Sequence, residues 1–315
     1  MAKCDEGDYV CALDSKLQDR ARKELMEDPR ERASQIESMR SWIKQQAHFH
    51  CRTDDRFLLR FLRAGKFSIL RAQKILSNYL DVRTRLPEWF KDVDPRDHNM
   101  MKALDKGTIV PLGKDKEGRQ VVLVRTGLYD ENDFDDVMKN TYMTLDLLLA
   151  DEANQINGFV LLVECGTFCA SHATCWGTDT IRDYVSCWQD AYPIRNKGMH
   201  FYNMPTALSA VLGIFKMFMK EKIRDRMYNH ANSPKSLHRY FPKSILPEEY
   251  DGTAGSLDEK IQSWKEYVLA NRDAVIAMNE CYLDESKMPK TLKSEEKLEA
   301  DSWGMVGSFR KLNVE

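Results

Sequence analysis

Most of the familiar catalytic signatures are missing from this chain. No GxGxxG follows a strand-like run, so a dinucleotide fold would lack its phosphate loop. There is no GxxxxGK[ST], and no GxSxG elbow of the kind an α/β-hydrolase needs. No apolar run reaches the roughly 20 residues needed to cross a bilayer. Charge of one sign is not in excess: 47 Lys and Arg stand against 49 Asp and Glu, a net −2. The balance favours neither nucleic acid nor membrane overall, and any electrostatic steering must come from local clusters. The eight cysteines form no CxxC pair. His48, His50 and Cys51 lie close together, but one such cluster cannot complete a tetrahedral metal site. Glu164, at the end of a strand-like run, could serve as an acid or base, although such a residue more often caps or pairs with a neighbour. The N-terminal MAKCDEGDYVCALDSK has no apolar h-region and carries acids early. These absences predict a cytosolic protein with reduced thiols. They give an enzyme no positive support, and no catalytic residue, metal, cofactor or nucleic-acid partner is expected.

What the chain has is helix, core and one unusual segment. Apolar residues make up 43% of its 315 residues and aromatics 10%, enough for a large domain and a smaller one. Residues 14–90 read as helical throughout. Amphipathic stretches at 14–26 and 29–46 come first, with Pro29 as a first-turn residue. Asp54 is placed to cap DDRFLLRFLRAG, and Ser68 to cap the next helix. No strand-like run appears there, which predicts an all-helical domain over 1–95. After that the pattern changes. Runs at 108–112 and 120–124 flank the turn-rich GKDKEG like a hairpin. Long helices at 135–153 and 178–191 then separate strand-like runs at 158–163, 199–203 and 226–230. Strands spaced by helices need crossovers, which predicts an α/β domain with a largely parallel sheet over 96–283. A further helix is expected at 256–278, and a charged tail wrapping the surface at 284–315.

Residues 205–219 are the unusual segment. At a 3.6-residue period Thr206, Ser209, Gly213 and Lys216 share one narrow stripe, which Lys220 extends. The rest is apolar: Leu208, Val211, Leu212, Ile214, Phe215, Met217, Phe218 and Met219. That arc far exceeds the ~100° a surface helix needs to cover a core. Such a helix must pack on both sides, contact a bound lipid or touch a membrane surface. Cations flank it: Arg195 and Lys197 before, and Lys220, Lys222, Arg224 and Arg226 after. Lys222 and Arg226, four apart, share a face if that turn is helical. Ordinary solvated ion pairs would explain the cations alone. Beside an oily helix they fit docking on anionic lipid.

Two blocks, DDRFLLRFLRAGKFSILRAQKILSNYLDVR and DAYPIRNKGMHFYNMPTAL through SLHRYFPKSILPEEYDG, make the chain resemble the CRAL-TRIO lipid-binding family, in its tocopherol- and retinaldehyde-carrying branch. The likeness covers roughly 50–282. It implies an open, mostly parallel sheet flanked by helices, with an apolar pocket closed by a gate helix at 205–219. Phe159, Leu161 and Val163 would line the pocket, in agreement with strand alternation. Met138, Thr141 and Leu145 would join from the preceding helix, then Tyr184, Cys187 and Trp188 from the following one, with Ile194 and Met199. Leu208, Val211 and Ile214 would face in from a gate that also carries Phe215 and Phe218. Without the family all of these read as ordinary core. The resemblance makes Arg195, Lys197, Lys222 and Arg226 a phosphoinositide site. A fifth family cation is replaced by Gly65, with Lys66 next to it, and the family's acidic-glycine turn reads Glu164, Cys165, Gly166, Thr167. The function implied is binding and intermembrane transfer of a small hydrophobic lipid by a cytoplasmic monomer that associates reversibly with membranes. Two alternatives on the same fold are a phosphatidylinositol-type transfer or presenting protein and a scaffold that binds protein without transfer.

Overall fold

The computed structural model describes residues 9–230 and 232–289. The N-terminal helices are α1 (Ser15–Leu25), α2 (Arg32–Lys44), α3 (Asp55–Ala64) and α4 (Ile69–Arg85). Asp14 caps α1 by accepting from the Leu17 N–H, and Asp54 caps α3 by accepting from Phe57. Ser68 stands at the start of α4, but its side chain makes no capping bond. Pro29 falls in the turn before α2 instead of in its first turn. All seven residues from Phe57 to Arg63 are buried, so α3 is packed on every side. Between α3 and α4 a Cβ at Gly65 would stand 2.9 Å from the Ala72 backbone nitrogen. The tight approach explains why a long cation is absent at that position, and Lys66 and Phe67 absorb the turn with positive φ values of 54° each.

Residues 14–90 are not free of strand, as had been expected. Phe49–His50 forms β1, which pairs antiparallel with β7 (Tyr282–Leu283) and ties the first helices to the far end of the chain. Two residues carry too little pattern to be read as a strand. Short helices α5 (Pro87–Phe90) and α6 (His98–Lys106) lead into the sheet. Its strands are β2 (Ile109–Lys114), β3 (Gln120–Arg125), β4 (Phe159–Glu164), β5 (Asn196–Tyr202) and β6 (Met227–His230), side by side in that order. The β2–β3 hairpin is antiparallel and every later pairing is parallel.

The helix expected at 135–153 is two, α7 (Phe134–Leu148) and α8 (Glu152–Asn157). Asp151 starts the second by accepting from the Ala153 N–H. After α9 (Ala170–Ala173), α10 (Thr178–Ser186) stops short of 191 and continues as a π-helical turn, Cys187–Ala191. Next come α11 (Thr206–Phe218), α12 (Glu221–Arg224) and α13 (Pro234–Leu237). The helix expected at 256–278 breaks at Asn271 into α14 (Leu257–Ala270) and α15 (Arg272–Ala277). Ser256 and Glu259 close a capping box on α14. Of the expected tail, residues 285–287 form one tight turn and 290–315 lie outside the described residues.

Alternation sorts the sheet into two faces. Val121, Leu123, Val160 and Leu162 pack with Leu237, Phe241, Leu246 and Tyr250. Val122, Phe159, Leu161 and Val163 join a larger cluster that includes Phe57, Phe61, Leu76 and Tyr79 of the N-terminal helices. One apolar cluster therefore runs across the boundary expected near residue 95.

Buried ion pairs cross the same boundary. Arg63 is wholly buried, and its Nε donates to Glu27 Oε2 at 2.9 Å. Its Nη1 donates to Glu152 Oε2 and to Gln155 Oε1, both at 2.8 Å. Arg83 pairs with Asp146 at 3.1 Å, and Tyr79 donates to the same carboxylate at 2.9 Å. Removing one partner of such a set strands the others without water. Arg63→Met should lower the unfolding free energy by about 3–5 kcal/mol in urea melts. A loss below about 1 kcal/mol would show that Glu27 and Glu152 find other partners.

Candidate functional site

The face of β4 that joins the larger apolar cluster is packed less completely than its reverse. Phe159 retains 1% of its surface, Leu161 5% and Val163 8%, while Leu162, pointing the other way, retains none. In the same apolar cluster α11 contributes Leu208, Val211, Leu212 and Phe215, all buried, with α9 and α10 packed beside it. This is the i, i+3, i+4, i+7 set of one helical face. Leu212 thus takes the inward place expected of Ile214, which turns outward and is 38% exposed. The arc is apolar nearly all round, so only the helix spacing, not the residue types, separates these two. Phe201 also joins the cluster and was missed, although it lies two residues after Met199 on the same strand face.

The other expected residues converge on the same place. Met138, Thr141 and Leu145 of α7 are buried, and the Thr141 hydroxyl donates back to the Val137 carbonyl at 2.9 Å. Cys187 and Met199 are buried, while Tyr184, Trp188 and Ile194 are half-buried against the cluster. Burial pushes the Cys187 thiol up to about 12, which leaves it neutral packing. The rings of Trp176 and Tyr184 meet Phe215 edge-on at 5.1 and 5.9 Å. The buried indole N–H of Trp188 has no acceptor at bonding distance among the described residues. Two cavities stand open elsewhere: one of about 30 Å³ beside Arg60 and Arg83, and one of about 230 Å³ among Asn99, Lys102 and Asp133.

The end of α11 is latched. Gln189, in the π-helical turn, donates to the Phe218 carbonyl at 3.1 Å and accepts from the Lys220 N–H at 3.0 Å. Asp190 pairs with the Lys220 ammonium. Such turns insert one extra residue and so redirect the side chains that follow. On the outer face Met217 is 62% exposed beside Ile214 and Lys216, and a Cβ at Gly213 would meet nothing within 4 Å. Phe218 lies half-buried with the Arg182 guanidinium over its ring at 5.6 Å.

The four expected cations gather at one end of β5 and β6. Arg195 precedes β5 and Lys197 is its second residue. Lys222 is on α12, which ends at Arg224, so Arg226 lies past the helix in the turn that precedes β6 and the helical pairing expected of the two is not formed. The Arg226 guanidinium donates to the Asn196 carbonyl, and that of Arg195 to the Ile156 carbonyl. Burial, then Arg226, Lys66 and Arg195, holds the Lys222 ammonium below its ordinary range. Burial and the neighbouring Arg195 and Arg226 do the same to Lys197, against the pull of Glu24. Lys66 therefore stands within this positive field. Glu24, on α1, was not foreseen: its Oε2 lies 2.6 Å from Arg195 Nη2 and 3.4 Å from Lys197 Nζ. No motif links residues 171 positions apart.

Neither isolated chemical candidate gathers a catalytic or metal-binding set among the described residues, although the Asp284 carboxylate stands 3.9 Å from the His50 ring. His50 stacks on Tyr282 at 4.6 Å, burial raises the Cys51 thiol, and Glu164 caps its own turn by accepting from the Gly166 N–H at 2.9 Å. Among the described residues no group of three His, Cys, Asp or Glu side chains is arranged to hold a metal.

Known proteins share this sequence pattern. The CRAL/TRIO domain model matches residues 104–252, and a Pinta-like UBA domain model matches 28–100. The Homo sapiens protein named alpha-tocopherol transfer protein-like is 35% identical over 268 residues, 84% of this chain and 78% of that one. Clavesin-1 of Xenopus laevis is 33% identical over 244 residues, covering 76% and 74%. The crystal structure of Sfh5 aligns over 84% of this chain and 99% of its own, with 13% identity and a TM-score of 0.43. With a matching domain model and relatives above 30% identity along most of their length, the chain belongs to the CRAL/TRIO domain family.

Proposed function

We propose that this protein binds a small hydrophobic lipid between its sheet and α11 and carries it between membranes. The observation that carries the reading is that α11 is apolar on both sides. Leu208, Val211, Leu212 and Phe215 are buried in the apolar cluster that includes the sheet residues, while Ile214 and Met217 remain in water beside Lys216. A helix that only covered a core would not keep the second set. Among the described residues no helix is long and apolar enough to cross a membrane, so contact through this face is peripheral. The relatives named for tocopherol transfer support a tocopherol-like cargo within the tocopherol- or retinoid-like class.

A lipid with about 20 apolar carbons costs on the order of 16 kcal/mol to move into water. A carrier therefore has to open only where water is already excluded. Closed, α11 seals the cargo and Gln189 holds its end. At a bilayer the same inner residues exchange the sheet for lipid. Arg195, Lys197, Lys222 and Arg226, with Lys66 in the place left by Gly65, bind a phosphoinositide headgroup and set the orientation of docking. The protein then works as a cytoplasmic monomer that visits membranes, and no catalytic step is assigned to it.

Solvent extraction and mass spectrometry of the purified protein tests the reading. One hydrophobic lipid per chain is expected. A whole phospholipid would move the function to the phosphatidylinositol-type alternative, and a protein that neither carries nor takes up lipid would leave the scaffold. Leu161→Gln places an amide in the middle of the site and should reduce uptake of a fluorescent lipid by at least about tenfold, with the circular dichroism spectrum retained. Unchanged uptake would put the cargo elsewhere. Lys222→Glu combined with Arg226→Glu should slow transfer to phosphoinositide vesicles by at least about tenfold while lipid affinity changes less than about twofold. Equal transfer rates would remove the docking role.

A further inference from the structure

The cationic cleft already holds an anion of its own. Glu24 Oε2 sits on Arg195 and Lys197, as a headgroup phosphate oxygen would. Its side chain is 41% exposed against 15% for Arg195 and 27% for Lys197, so it is the most accessible of the three. A phosphate approaching from outside meets Glu24 before it meets them. The second oxygen, Oε1, stands 3.8 Å from Arg20 Nε one helical turn back along α1. Arg20 is itself fixed, donating to the Glu117 carbonyl at 2.8 Å and to Asn157 Oδ1 at 2.5 Å. The carboxylate thus has three cationic partners within reach, Arg195 and Lys197 inside the cleft and Arg20 outside it.

The geometry points to Glu24 as an internal competitor for the headgroup site: it occupies Arg195 and Lys197 in the free protein, and a phosphoinositide phosphate displaces it onto Arg20. The inference rests on the docking role proposed above for the same cations. A phosphomonoester carries −1.5 to −2 charge and three strong acceptor oxygens, and arginine takes phosphate with two parallel bonds. It therefore replaces a single carboxylate with net gain. Displacement needs no movement of α1, which stays anchored through Ala21 and Leu25 against Ile156. While the headgroup is absent, Glu24 neutralises part of a positive cleft that would otherwise hold any polyanion. Competition of this kind weakens every ligand that must reach Arg195 and Lys197, and leaves contacts made only to Lys66 and Lys222 untouched.

The test is co-sedimentation of the full chain with phosphatidylcholine vesicles containing a few per cent phosphatidylinositol bisphosphate. Glu24→Gln should tighten binding about fivefold, roughly the effect of one basic side chain near an anionic surface. Glu24→Asp keeps the charge but shortens the reach and should show most of the same gain. Glu31→Gln removes an exposed carboxylate from the start of α2 and should change binding less than about twofold. In a Lys197→Gln background the gain from Glu24→Gln should shrink, because coupled residues are not additive. If the parent binds these vesicles through Lys222 and Arg226 but Glu24→Gln and Glu24→Asp bind no tighter than Glu31→Gln, the competitor role is overturned and docking stands. If parent, Lys222→Glu/Arg226→Glu and Glu24→Gln all bind alike, docking and competition fall together.

Discussion

The Arg63 guanidinium is the contact on which the positions of both sites depend. It is fully buried on α3 and joins Glu27, just past the end of α1, to Glu152 at the start of α8. Taking such charges out of water costs several kcal/mol per ion, so the arrangement survives only because each partner is satisfied. Arg32 completes Glu27 at 2.7 Å, and Gln155 takes a further donor from Arg63. From there the chain of consequences is short. Helix α8 runs into β4, which carries Phe159, Leu161 and Val163, and the Ile156 carbonyl receives Arg195. Helix α1, held just past its C-terminal end by the same guanidinium, places Glu24 of its last turn on the cations.

The energetics of α11 favour a membrane as the place for the opening proposed above. Four inward side chains at about 1.5–3 kcal/mol each give about 6–12 kcal/mol of apolar burial. The two Gln189 hydrogen bonds add about 1 kcal/mol each. Detachment into water would forfeit nearly all of the burial. Detachment into hydrocarbon forfeits little of it and also buries Ile214 and Met217. In the proposed cycle the bilayer therefore supplies the solvent for the open state, and the latch at Gln189 is the part that remains to be broken.

Much of this was legible in the sequence where a period or a local cap carried the information. Strand alternation put Phe159, Leu161 and Val163 on one face, and Asp54 announced α3. The parallel order followed from helices alternating with strands. The helix breaks at 149–151 and at Asn271 were not legible, because no Gly or Pro marks them and tertiary contacts decide where α8 and α15 begin. Ile214 was misplaced because an apolar residue gives no direction on a helix that is apolar nearly all round. Arg63 with Glu152, and Glu24 with Arg195, join residues 89 and 171 positions apart, and charge composition cannot choose such partners.

The open space outside Gly213 has an implication for how proteins of this plan diverge. Nothing crowds that position, so side chains of many sizes fit there without disturbing Leu212 or Phe215 on the opposite side. Under the proposed function, substitutions on the outward surface would retune which bilayer is visited, while those on the inward surface would retune which molecule is held. A single short helix would then let destination and cargo evolve as separate traits.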